Sequence, residues 1–192
     1  NFATSVSLFY SGYNAGNFSY MYDGNMNQDG INNDLIYIPK SKDELTFVDK
    51  NGFTAEQQAE AFWNYVNQDS YLKNHKGEYA KAYSARYPWV NQIDLKVVQD
   101  FIVKAGKTTN TLQVSLDIFN LGNLLKDTWG VTKVPVNSGR ILKYEGVTAD
   151  NVPTFSMYQS ENKLPTETFS YLKNSSNCWQ IQVGIRYICL LY

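Results

Sequence analysis

The residues of this chain best suited to chemistry lie in one short run, Asp23-Gly24-Asn25-Met26-Asn27-Gln28-Asp29-Gly30-Ile31-Asn32-Asn33-Asp34. Oxygen-bearing side chains alternate at Asp23, Asn25, Asn27 and Asp29, and Asp34 closes the run. Hard cations such as Ca²⁺ take six to eight oxygens, and a tight loop of alternating Asp and Asn can supply them. Gly30 falls where such a loop needs its sharp turn. Ile36 stands where an EF-hand would carry its bidentate Glu, so Asp34 would have to substitute. The same residues also form Asx turns, here running on to Pro39, and either reading fits them. Other chemistry is thinly supplied. The single histidine, His75, sits in the polar stretch Lys73-Asn74-His75-Lys76-Gly77, and no nucleophile elbow or phosphate-cradling loop occurs. No enzymatic activity is expected. Cys178 and Cys189 would lie about 36 Å apart along one extended strand, too far to pair.

Composition narrows the class. The chain has 192 residues and a net charge of -1, with 15% aromatics. That aromatic content excludes a disordered tail, and the near-neutral charge argues against a nucleic-acid partner. The longest apolar run, Tyr187 to Tyr192, is far short of the roughly 20 residues of a helical span. Asn1-Phe2-Ala3-Thr4-Ser5-Val6 has neither an initiator Met nor a basic or apolar leader. It reads like the middle of a strand, so a fragment of a longer chain is expected.

The elements that position these residues are strands. Trp179, Ile181, Val183, Ile185 and Tyr187 alternate with Gln180, Gln182, Gly184 and Arg186. One face therefore runs aromatic, three aliphatics, aromatic, and spans about 26 Å. Aromatic girdles flanking an apolar band about 25 Å tall mark a membrane-facing barrel strand. Similar alternation marks residues 2–12, 91–103 and 111–120, with Phe9, Val98 and Gln99 as exceptions. Segments 91–103 and 111–120 are joined by a short turn-rich link at 104–110. The connections 14–90 and 121–177 are very long for a compact soluble domain. Within the first, Thr54-Ala55-Glu56-Gln57 is a capping box, and Ala59, Phe62, Trp63 and Val66 recur at helical spacing. A helix over 55–68 is expected, its aromatics packing the loop onto itself rather than binding a ligand.

Four stretches carry a family likeness. Ser115-Leu116-Asp117-Ile118-Phe119-Asn120-Leu121-Gly122-Asn123-Leu124 resembles a strand ending in an Asn-Leu-x-Asn turn. Residues 87–96, 179–188 and 23–39 are similar to the preceding strand, the closing strand and an Asn/Asp/Gly-rich external loop. Together they resemble the C-terminal end of a TonB-dependent outer-membrane receptor of the Bacteroidetes type. The resemblance implies an all-β fold, with antiparallel strands of a transmembrane β-barrel, the last four of about 22. Long external loops would contain the short helix, and the plug domain would lie outside this chain. It also implies the outer membrane as location, import of an oligosaccharide, peptide or metal chelate, and no catalysis. Outer-membrane lipid would be a partner. The plug and TonB system would be partners through a further N-terminal part, and a surface lipoprotein could meet Trp129 or Tyr144. Asp94, Lys96, Asp117 and Arg186 would face the lumen and the plug. No cofactor is required, with Ca²⁺ at 23–34 as the one candidate.

Two departures stand out. The family's last strand ends in Phe after the Tyr-Ile pair, where this chain has Cys189-Leu190-Leu191-Tyr192, so a frameshift or truncated reading is expected there. Pro165-Thr166-Glu167 replaces a common Pro-Gly-Arg. The alternative readings are a secreted calcium-stabilised carbohydrate-binding β module and a small outer-membrane adhesin barrel. The latter needs about eight strands.

Overall fold

Period-two alternation becomes strand throughout. The computed structural model describes residues 1–191. In chain order its strands are β1 (Phe2–Asn14), β2 (Asn17–Phe18), β3 (Tyr22–Asp23), β4 (Thr46–Phe47), β5 (Ala85–Arg86), β6 (Trp89–Ala105), β7 (Thr108–Phe119), β8 (Lys133–Pro135), β9 (Leu142–Val147), β10 (Pro153–Met157), β11 (Phe169–Tyr171) and β12 (Gln180–Leu191). The helices are α1 (Ala55–Gln68) and α2 (Leu121–Leu125), with short 3₁₀ turns between elements. The protein is thus mostly β, and its long strands are antiparallel. Two units can be distinguished. One comprises Asn1–Ala15, Pro88–Thr132 and the chain from Tyr171 onward; the other comprises Gly16–Tyr87 and Lys133–Ser170.

The first unit is a four-stranded sheet in the order β1-β6-β7-β12, each strand antiparallel to its neighbour. Among the described residues it is open, with β1 and β12 at its edges and no pairing between them. The β6–β7 connection is tighter than the sequence suggests. Ala105 pairs with Thr108, leaving Gly106 and Lys107 as a two-residue turn. Gly106 takes a φ of 61°, the first-position glycine of a tight hairpin. Thr108, Thr109 and Asn110 read as turn residues, yet they pair with Ala105, Lys104 and Val103. Threonine's branched Cβ suits a strand, and the hairpin takes these residues up. The short turn lies at one end of the sheet. The long connections leave from the other, where Asn14 pairs with Trp89 and Phe119 with Gln180.

The second unit holds the hydrophobic core. Phe18, Tyr20, Tyr22, Ile36, Ile38, Phe62, Tyr65, Leu72, Ile141, Leu142 and Phe155 are buried together in it. Its largest sheet runs β3-β9-β10-β4, antiparallel between β9 and β10 and parallel at the two flanks. Helix α1 has the limits its pattern predicts. Thr54 Oγ1 accepts from the Gln57 amide at 3.2 Å, and Gln57 Oε1 accepts from the Thr54 amide at 2.9 Å. Phe62, Tyr65 and Val66 turn inward, while Trp63 stays half-buried with the Lys76 ammonium 4.1 Å from its ring centre.

Two buried polar side chains tie this unit together. Gln58 is fully buried; its Nε2 donates to the carbonyls of Val48 and Phe53, and its Oε1 accepts from the Met157 amide. That single amide joins α1, the 48–53 loop and β10. Asp69 caps the C-terminus of α1, where the helix dipole disfavours a carboxylate. Four donors offset this: the hydroxyls of Tyr20 (2.8 Å) and Thr168 (2.7 Å) and the amides of Tyr71 (2.9 Å) and Leu72 (2.8 Å). The connection 121–177, poorly determined by sequence around Pro165, is thereby anchored at Thr168.

The Asp69→Ala variant strands two buried hydroxyls and two amides. It should lose about 3 kcal/mol in urea unfolding followed by near-UV circular dichroism. The tyrosines supply an independent check. Burial, followed by the neighbouring Tyr65 and Asp69, pushes the Tyr20 phenol far above its ordinary 10.0. Burial likewise raises Tyr65, and pushes Tyr22 up to about 12. Groups raised on folding stabilise fully below their unfolded value and lose that contribution as pH rises through the folded one. Alkaline stability should therefore fall from about pH 10 upward. Absorbance at 295 nm should show these three ionising only together with loss of tertiary signal.

Candidate functional site

The strand register gathers the apolar residues of the first unit on one face. Val6 pairs with Val97, Val97 with Leu116 and Leu116 with Val183, all in one row. One row toward the turn, Thr4 and Gln99 continue through Val114 to Ile185. The next row is Phe2, Phe101, Leu112 and Tyr187. Tyr10 stands eight residues from Phe2, as Trp179 stands eight from Tyr187. Aromatic side chains therefore bound the aliphatic band at both ends, about 26 Å apart along the strands.

Nothing in the described chain covers this face. Phe2 is 77% exposed, Val6 64%, Leu8 67%, Val183 66% and Ile185 74%. The aromatic ends are hydrogen-bonded at their polar tips. The Tyr10 hydroxyl (2.8 Å) and the Trp89 indole N–H (3.0 Å) both donate to Asn91 Oδ1, and Tyr187 donates to Asn110 Oδ1 at 2.5 Å. Gly12 leaves the room that lets Tyr10 and Trp89 meet, since a Cβ there would stand 2.6 Å from the Tyr10 hydroxyl. Phe2 and Phe101 meet edge to face at 5.6 Å. The expected membrane-facing set Trp179, Ile181, Val183, Ile185 and Tyr187 is exposed throughout. Gln99, an exception to the alternation, is satisfied on this face. Thr4 Oγ1 donates to its Oε1 at 2.6 Å, and its Nε2 donates to the Ala3 carbonyl at 3.1 Å.

The opposite face is polar. Lys96 and Asp117 form an ion pair at 2.9 Å, and Gln113 donates to Asp100 at 2.9 Å. Asp94 and Arg186 share this face by register. Phe9 and Val98, two further exceptions, also fall here, opposite Asp94 and Ser5. At the C-terminal end, pairing continues without a break from Cys189 with Asn110 to Leu191 with Thr108; Tyr192 lies outside the described residues. Both cysteines are free and exposed.

The Asn-Leu-x-Asn turn has a mechanical role that its sequence does not announce. Asn120 takes the left-handed conformation at φ 52° and its amide N–H donates to Asp94 at 2.7 Å. Its Nδ2 donates to the carbonyls of Gly130 and Asn177. Asn123 Nδ2 donates to the Asp127 and Trp129 carbonyls, and its Oδ1 accepts from the Trp179 amide at 3.1 Å. Two asparagines thus clamp the chain as it enters β12. Gly130 lies so close to Asn120 that any Cβ would collide with the amide.

The 23–34 run folds as Asx turns. Asp34 Oδ2 accepts from the amides of Met26 (2.7 Å) and Asn27 (3.1 Å). Asp29 Oδ1 accepts from the Ile31 amide at 2.8 Å, and its Oδ2 accepts from Asn27 Nδ2 at 3.1 Å. Asn27 Oδ1 accepts from the Asp29 amide, Asp23 lies in β3 paired with Lys143, and the buried Asn25 Oδ1 has no partner. The fold thus brings Asn27 together with Asp29 and leaves Asp34 on backbone amides. Among the described residues no cluster of three or more His, Cys, Asp or Glu suits a metal ion. His75 stacks on Tyr71 at 4.2 Å, with Nδ1 2.8 Å from the Tyr71 carbonyl. Tyr144 packs against the core, whereas Trp129 is exposed.

Chelation should leave the melting temperature unchanged, while Asp34→Ala, which frees two amides, should cost roughly 2 kcal/mol. A Ca²⁺-dependent rise in melting temperature would show instead that the carboxylates exchange their amide partners for a cation. Comparison of the chain with protein-family models, curated proteins and solved structures found no match.

Proposed function

We propose that this chain is the C-terminal part of the barrel of a TonB-dependent outer-membrane receptor. The carrying observation is the uncovered apolar face of the β1-β6-β7-β12 sheet, with aromatic residues eight positions apart at its two ends. In water, that much exposed Val, Ile, Leu and Phe on adjacent strands is a severe liability. In lipid it is the ordinary outer surface of a barrel, and the polar face becomes the lumen wall. One tight turn at one end and long connections at the other agree with a periplasmic and an external side. The open edges at β1 and β12 call for neighbouring strands, because an unpaired edge is tolerated neither in lipid nor, for long, in water.

On this reading outer-membrane lipid contacts Trp179, Ile181, Val183, Ile185 and Tyr187. Asp94, Lys96, Asp117 and Arg186 face a plug supplied by the rest of the receptor. The folded second unit is the external portion, available to substrate and to a surface lipoprotein. The whole receptor imports a nutrient such as an oligosaccharide, a peptide or a metal chelate, driven through TonB. The chain itself carries out no catalysis.

Charge placement tests the reading. Val183→Arg, in the middle of the band, should cost about 2–4 kcal/mol of stability in bilayers. Gln182→Arg, one residue away on the polar face, should be tolerated. Carbonate-resistant recovery of each full-length variant in the outer-membrane fraction measures the difference. Equal recovery, or a protein that stays soluble without detergent, would sink the proposal and favour a secreted β module.

A further inference from the structure

A groove of about 600 Å³ opens in the first unit where the chain enters β12. Asp127, Thr128, Lys173, Asn174, Cys178 and Trp179 are among its lining residues. Its floor is fixed by the Asn123 clamp on Asp127 and Trp179, and by Asn177, whose Nδ2 donates to the Leu172 carbonyl (3.1 Å) and to Asn174 Oδ1 (2.8 Å). Among the described residues the side chains of Asp127, Thr128 and Lys173 have no hydrogen bond or ion pair, so they stand available at the groove. Trp179 is 43% exposed.

An exposed indole ring beside a carboxylate, a hydroxyl and an amide is the chemistry that grips a sugar. The apolar C–H face of a pyranose lies on the ring, and neighbouring hydroxyls both donate to the carboxylate and accept from N–H groups. Through Trp179 the groove lies next in sequence to the uncovered apolar face. Trp179 directly precedes β12 and stands two residues before Ile181 of that face. A ligand seated on Trp179 with an alkyl tail has its tail beside Ile181 and Val183, whereas a free sugar gains nothing from them. We propose that this groove holds the sugar headgroup of a membrane glycolipid, the acyl chains lying along the apolar face. This rests on the membrane reading of that face.

Cys178 reports on the groove directly, because it is exposed and lines it. The experiment uses the full-length protein carrying Cys189→Ser in dodecylphosphocholine micelles, following N-ethylmaleimide alkylation of Cys178. Dodecyl maltoside titrated into the micelles should slow alkylation about fivefold, the value for roughly 80% occupancy. Asp127→Asn combined with Thr128→Val should remove the protection. An unchanged rate would overturn the proposal. So would equal protection by free maltose, which would make the ligand a soluble sugar. Partitioning of the same protein into phosphatidylcholine vesicles separates the two readings. Protein that partitions without protection loses only the groove assignment, whereas protein that does not partition loses the membrane reading as well.

Discussion

The architecture of the first unit depends on register. Side chains on a strand alternate strictly, so a slip of one residue at the Gly106-Lys107 turn would carry Phe101, Val97 and Leu95 to the opposite face of β6 relative to β7. Pairing then propagates outward on both sides, to β1 and to β12, and each strand inherits the alignment of its neighbour. The consequence is a band in which aliphatic rows meet aliphatic rows. The one polar pair, Thr4 with Gln99, falls in a single row where the two groups satisfy each other. A register error would instead bury Lys96 and Asp117 in whatever covers the apolar side, at a desolvation cost far larger than a turn can supply.

The second unit solves a different problem. Connections of this length are usually mobile because they lack enough apolar surface to offset their ordering. Here the aromatic richness of the chain is spent on a core of tyrosines and phenylalanines. Tyrosine brings a hydroxyl into that core; among the described residues the Tyr65 hydroxyl is buried there without a hydrogen-bond partner, whereas others are met. Asp69 meets that of Tyr20, and Gln58 does the equivalent for backbone groups of the irregular segments. Buried side-chain acceptors and donors thus stand in for the long ladders that regular structure would provide.

Much of this was legible in the residues. The limits of α1 followed from a capping box and helical spacing, both local signals. The two faces followed from period-two alternation in four segments. The proposed membrane surroundings, by contrast, rest on likeness and on the uncovered face. What could not be read was long-range. Nothing near Thr168 reveals that it meets Asp69 a hundred residues away, and nothing in the 104–110 link tells that its threonines extend the hairpin. The 23–34 run was ambiguous for a physical reason, since oxygens that ligate a cation are the same oxygens that accept from turn amides. The Asn120–Asn123 clamp was visible as a motif, but its partners at 127–130 and 177–179 are set by the fold.

The short β2–β5 ladder gives the folding order a kinetic logic. Asn17 pairs with Arg86, and the Tyr87 amide donates to the Gly16 carbonyl at 3.0 Å, so the second unit holds its own entrance and exit side by side. Strands β1 and β6, more than seventy residues apart in sequence, then meet as if joined by a connection of a few residues. Shortening the effective loop that far removes about 2–3 kcal/mol of closure entropy from the search for the β1–β6 pairing. A sheet of high contact order can in this way assemble at the pace of a local hairpin once the inserted body has formed.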